Sequence, residues 1–283
     1  MINNIQCISE SRLSPYMLLC KGDKLEAICV YTALQHRSAL YFTIIQEIEI
    51  AFRNELSSKI EIWLKNSLSS PTTDLYDFFK NHMLMYLSKE GQKQLQKALS
   101  DVQLNYSNKL QKTITKARQK ALKKGLPEPI AQDISNKVNP PNHNDIISHL
   151  TFGFWVYLLE QDKQKNPNYQ FWANIFEDLF EGRFSTNLNL FTRMKDVLRF
   201  RNNLYHQEAV WKGANINTPL KALQNLETKF NNFLEHLNKL SPYRFALVEK
   251  SYHLNKMKSQ LFDHQAFTSE LAELKSLLEI NRI

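Results

Sequence analysis

The sequence predicts an all-α protein, and composition and period together carry that expectation. Glycine occurs only 6 times in 283 residues, well below its usual share of about 7%. Valine is scarce as well, while Leu, Lys, Gln, Ala and Glu are plentiful, which favours helix over sheet. Apolar residues also recur at threes and fours over long stretches, the period of a helix with one buried face.

Taken in order, the first such stretch runs from Leu40 to Leu64, where Ile44, Ile45, Ile48, Phe52, Leu56 and Ile60 make one apolar stripe. On that helix Glu49 and Arg53 stand four apart, followed by Asn54, and read as a surface ion pair. Ser69-Ser70-Pro71-Thr72-Thr73-Asp74 breaks the pattern and offers caps for the next helix. Residues 102–127 hold no acidic side chain and seven basic ones, and Lys109, Lys112, Lys116, Lys120 and Lys123 fall on one helical face. Opposite them lie Leu110, Ile114, Ala117 and Ala121. The lysine stripe can track a phosphate backbone or be a solvated face. Breaks follow at Gly125-Leu126-Pro127-Glu128-Pro129 and at Asn139-Pro140-Pro141-Asn142. The aromatic segment Leu150 to Leu159 suits core packing first and base stacking second. Helical patterns return over 188–205, with Gly213 as a stop, then over 217–240 and 255–281, with Ser241-Pro242 as a joint. We therefore expect a helical domain over 1–240 and a helical extension over 241–283.

The formal charge of +8 and pI of about 9.2 describe a surface that attracts polyanions. Cys7, Cys20 and Cys29 form no C-x-x-C pair or Cys/His cluster, so they read as reduced thiols, with neither a disulfide scaffold nor a metal site expected. The longest apolar run, Phe152 to Leu159, is far shorter than the roughly 20 residues a membrane span needs. A cytoplasmic protein without membrane partner or cofactor is expected.

Residues 199–208 carry the sharpest chemical pattern. Asn202 and His206 are four apart and share a helix face, while Arg201 lies about 140° around the axis and reaches with a long side chain. Histidine has an ordinary pKa of about 6.5, which suits proton transfer with a ribose 2′-hydroxyl near neutral pH. Arginine offers a permanent planar cation for charge building on phosphorus. The bland alternative is a helix cation beside a surface histidine.

Several segments, in order, resemble the Abi-like (abortive infection) family of the HEPN superfamily of helical RNases. They are Leu13-Ser14-Pro15-Tyr16 with Gly22-Asp23, Glu49-x3-Arg53-Asn54, Ala117-Arg118 before Gly125, His149-Leu150-Thr151-Phe152-Gly153-Phe154-Trp155, and Arg201-Asn202-x3-His206-x-Glu208. The resemblance covers roughly residues 10–240. It implies an all-α HEPN-type bundle with additional helices that forms a homodimer, two motif helices meeting in one RNA-cutting cleft. It implies a catalytic set of Arg201, Asn202 and His206, supported by Glu49, Arg53, Asn54 and Glu208. Where the family often continues with a second Arg, a second His and Pro, this chain has Asn203, Gln207 and Ala209, and the family's aromatic-Asn helix start is altered to Tyr31-Thr32-Ala33-Leu34.

The expected function is a metal-independent endoribonuclease of a phage-defence or toxin-antitoxin kind, acting on RNA under an antitoxin or a regulatory structured RNA. Two alternatives stay open. One is a non-catalytic RNA-binding defence protein that uses the lysine stripe; the other is an inactive helical dimer whose polar motif cements an interface.

Overall fold

A computed structural model describes residues 8–67, 74–177, 179, 183–251 and 254–280. Cys7, positions 69–73 of the expected break and position 281 lie outside the described residues. The protein is all-α, with no strand among the described residues. Its helices are α1 (Glu10–Leu19), α2 (Lys24–Ala39), α3 (Tyr41–Ser67), α4 (Leu75–Asp77), α5 (Lys89–Lys123), α6 (Ala131–Ser135) and α7 (His143–His149). There follow α8 (Phe152–Tyr157), α9 (Tyr169–Ile175), α10 (Asn187–Tyr205), α11 (Pro219–Leu240), α12 (Pro242–Ser251), α13 (Leu254–Leu261) and α14 (His264–Ile280). The chain divides into two compact units. One takes Met1–Phe52, Phe180–Ser185 and Thr192–Ile283, and the other takes Arg53–Leu179 and Thr186–Phe191. The described part of 241–283 thus lies in the first unit, together with the N-terminal helices.

In the first unit, α2 starts where the Asp23 carboxylate accepts from the Glu26 amide at 3.0 Å, and it packs against α1, α11 and α14. Ile44, Ile45, Ile48 and Phe52 of α3 are all buried, as their spacing predicts. Tyr41, fully buried at the start of α3, donates its hydroxyl to the Leu226 carbonyl of α11 and packs on Phe200, Phe230 and Phe233. The stretch 255–281 is not one helix. Phe262 drops into the core, and Asp263 accepts from the Ala266 amide at 2.7 Å to start α14 anew. Burial there outweighs helical continuity, because one buried aromatic ring contributes more than one turn of exposed helix.

Arg37 joins the two ends of this unit. Its buried guanidinium donates to the Ala33 carbonyl at 2.9 Å, to the Leu261 carbonyl at 2.6 Å and to Glu270 at 2.6 Å, and lies 4.7 Å over the Phe267 ring. Cys20 and Cys29 are buried free thiols, and burial pushes Cys20 up to about 12, so it resists ionisation and alkylation.

In the second unit, α5 packs against α6, α7 and α8. Phe152, Phe154 and Trp155 are buried and pack the core, whereas Tyr157 of the same segment is exposed. Tyr86 stacks on Phe171 at 3.8 Å, and Trp172 donates its indole N–H to the Tyr86 carbonyl at 2.9 Å. The buried positions of α5 end at Val102; beyond it Leu110, Ile114, Ala117 and Ala121 are only half-buried. The helix stops at Gly125, φ 61°, where the Leu126 amide reaches back to the Ala121 carbonyl at 3.0 Å. Asn142, in the second expected break, caps α7 through a reciprocal bond with Asp145.

Arg37→Ala is expected to destabilise the protein by about 3 kcal/mol, because it removes a buried, fully bonded cation and strands the Glu270 carboxylate. Urea unfolding followed by circular dichroism reads the change.

Candidate active site

The motif lies at the end of α10, and its placement begins with Phe200. That ring is buried 4.7 Å from Tyr41 and 5.0 Å from Phe233. Each residue turns a helix by about 100°, so Arg201 comes out of the core and Asn202 faces solvent. Arg201 sits with its Nε 3.8 Å from the Glu49 carboxylate, donates from Nη1 to the Asn202 Oδ1 at 3.4 Å, and lays its guanidinium 4.7 Å over the Tyr205 ring. Tyr205 in turn meets Phe42 edge-on at 5.2 Å. The cation is therefore held on three sides, with its side chain 30% exposed.

Asn202 and His206 are exposed on the same face. His206 closes the helix as its C-cap, and among the described residues its ring has no hydrogen-bond partner. The terminus that carries it is a six-residue turn, in which the Glu208 amide reaches the Asn203 carbonyl at 2.8 Å and the Gln207 amide reaches Leu204 at 3.0 Å. Such a turn needs a left-handed residue, and Gln207 takes it at φ 56°. Gln207, not Gly213, is thus the stop of α10. Two helices hold it there. Arg12 of α1 donates to the Gln207 side chain at 2.5 Å, and Gln35 of α2 to its carbonyl at 3.5 Å. Gly213 serves a different need, since a Cβ there would lie 2.9 Å from the Asn225 amide nitrogen. Asn225 donates to the Trp211 carbonyl at 2.6 Å, and Lys229 donates to those of Val210 and Lys212 at 2.7 and 2.9 Å, which pins the loop after the motif onto α11.

The supporting residues do not all gather here. Glu49 faces Arg201 and makes no ion pair with Arg53 among the described residues, so the expected i,i+4 pair gives way to a contact between helices. Arg53 and Asn54 follow on α3 within the second unit; Arg53 Nε is buried without a hydrogen-bond partner, and Asn54 is exposed. Glu208 is exposed and borders a separate cavity of about 370 Å³ on the other side of α10. That cavity holds Lys229, whose ammonium burial and then Arg199 push down, and His236, which accepts from Arg193 at 3.2 Å. Sequence reasoning missed Arg12, Gln35, Tyr205, Lys229 and His236. Only Tyr205, four residues after Arg201 and so placed to offer its ring face to that cation, carried a local signal. The others act across separations that one sequence does not display.

Lys109, Lys112, Lys116, Lys120 and Lys123 are exposed along the outer half of α5, in the second unit. Among the described residues no group of three or more His, Cys, Asp or Glu side chains is placed to hold a metal ion, and no helix is long and apolar enough to cross a membrane. Set against family models, curated proteins and solved structures, the chain gives no match.

Burial, and Arg193 beside it, push the His236 imidazole down from 6.5 to about 4. The unfolded chain takes up a proton here below pH 6.5 while the folded chain refuses it, so the stability gained from the neutral imidazole is fully present above pH 6.5 and is lost as pH falls toward 4. Between pH 7 and pH 4 the wild type is expected to lose on the order of 3 kcal/mol more stability than His236→Gln. Urea midpoints across that range measure the difference.

Proposed function

We propose that this chain is a metal-independent endoribonuclease of a phage-defence (abortive infection) or toxin-antitoxin kind, with a HEPN-type bundle. The observation that carries the reading is the arrangement at the end of α10: a cation fixed by Glu49 and Tyr205, with Asn202 and His206 beside it in solvent. A fixed cation next to an unencumbered imidazole is what attack by a ribose 2′-hydroxyl requires.

In this scheme His206 takes the proton of the 2′-hydroxyl, and the 2′-oxygen bonds to phosphorus. The bond to the 5′-oxygen breaks, and that oxygen leaves with a proton returned by an imidazolium. The products are a 2′,3′-cyclic phosphate and a 5′-hydroxyl. Arg201 balances the charge that collects on the phosphoryl oxygens. The amide of Asn202, whose Oδ1 already accepts from Arg201, directs its NH2 to the phosphate. Glu49 is a positioning residue that acts through Arg201. Both chemical roles fall to side chains, so the scheme calls for no metal. The motif helix stands at a solvent-facing end, where a second copy could bring its own Arg201 and His206 to the same strand, and a homodimer in the cytoplasm is the form we assign. Control by an antitoxin or a structured RNA belongs to the same reading.

The lysine face of α5 favours one alternative, a non-catalytic RNA-binding protein controlled by a structured RNA. Incubating total RNA with the protein in EDTA separates the two. Cleavage by wild type is expected, with His206→Ala and Arg201→Ala each slower by at least about a hundredfold and Glu49→Gln slower by roughly tenfold. Cleavage by His206→Ala at the wild-type rate would remove the histidine from the mechanism, and salt-sensitive binding of intact RNA would favour the alternative.

A further inference from the structure

We propose that the second unit carries its own RNA site, a pocket for one guanine base set beside a phosphate track on α5; this rests on the reading of the chain as an RNA-acting protein. The pocket lies between α5 and α7 and has a volume of about 140 Å³. Pockets for drug-sized ligands run to roughly 300–1,000 Å³, so this one takes a single ring system. Val102 and Pro141 give it an apolar wall, and the half-buried ring of Tyr106 offers a stacking face.

Its polar edge is set in advance. His149 Nδ1 lies 3.0 Å from the Asp145 carbonyl, and its Nε2 lies 3.2 Å from the Asn105 amide, so these side chains hold one another in place. The Asp145 carboxylate borders the pocket and accepts from the Asn142 amide through Oδ2 at 2.8 Å. A carboxylate repels phosphate and accepts from N–H groups. Among RNA bases, guanine alone presents two adjacent N–H donors on its Watson–Crick edge.

Outside the pocket the charge reverses. Lys109 borders both the pocket and an open groove that continues along the same face of α5 past Lys112 and Lys116. At 1.5 Å of rise per residue these three lysines span about 10 Å, and among the described residues none has a carboxylate partner. A carboxylate bordering the pocket and cations along the groove orient a nucleotide base-inward, with its neighbouring phosphates on the lysines.

The test is fluorescence anisotropy with two single-stranded RNA octamers, all-uridine and the same strand with one central guanosine, in a His206→Ala background that leaves the strand intact. The single guanosine is expected to tighten binding about tenfold. Tyr106→Ala and Asp145→Asn should each abolish that preference and leave all-uridine binding in place, with helicity checked by circular dichroism. Lys112→Ala/Lys116→Ala should weaken both strands alike and reduce the slope of log K against log salt by roughly 1.4. Equal binding of the two strands, or a preference that survives both pocket variants, would overturn the pocket while salt-dependent binding upholds the RNA reading. If neither strand binds, or an acidic peptide of equal charge binds as tightly, the RNA reading falls and the pocket with it.

Discussion

Where Phe200 is buried decides where Arg201, Asn202 and His206 point. The seat for that ring is built by Tyr41, which is itself locked by the bond from its hydroxyl to a carbonyl of α11 and by the rings of Phe230 and Phe233. An aromatic ring buried against two others, as Phe200 is against Tyr41 and Phe233, loses several kcal/mol if it rotates out of the core. The roll of α10 is therefore fixed by packing, and the polar residues that follow Phe200 inherit their directions from helix geometry alone. Glu49 is on α3, the same helix that opens with Tyr41, so the element that seats α10 also supplies the counter-charge for its arginine.

The end of α10 shows the opposite economy. Gln207 adopts a left-handed conformation that favours glycine, and the same turn at the end of α5 does use glycine, at Gly125. The strained residue at 207 is held by side chains from α1 and α2. Glycine would relieve the strain but lose the tether to Arg12. That tether keeps the C-cap histidine in a defined place while its ring stays in solvent, the combination a general base needs.

Much of the fold was legible in the sequence because periodicity reports directly on burial. The apolar spacing of α3 marks the face that is buried, and Asp74, in the stretch that offered caps, accepts from the Asp77 amide at the start of α4. The extent of the last helices was not legible, because Phe262 fits a helical period as well as it fits a buried break. The site was legible as a motif but not as an environment. Glu49 and Arg53 are spaced to pair, and nothing local says that Glu49 turns to Arg201 instead. Arg12 and Gln35 lie so far from Gln207 in the chain that only the fold brings them together. The cavity around Lys229 and His236 had no local signature either, since a lysine and a histidine on an amphipathic helix look like surface residues until burial is known.

The lysine face of α5 and the motif of α10 belong to different units, and each is explained by its own surroundings: one by a helix that outruns its core after Val102, the other by a ring that is seated in one. The central claim is chemical, that Arg201 and His206 serve attack by a ribose 2′-hydroxyl. The measurement that tests it most directly is the chemistry of the new 3′ ends when purified wild type cuts RNA. Attack by the 2′-oxygen leaves 2′,3′-cyclic phosphates, and no cut is expected where the scissile nucleotide is 2′-deoxy. New ends bearing a 3′-hydroxyl and a 5′-phosphate, or cleavage at a 2′-deoxy position, would contradict it.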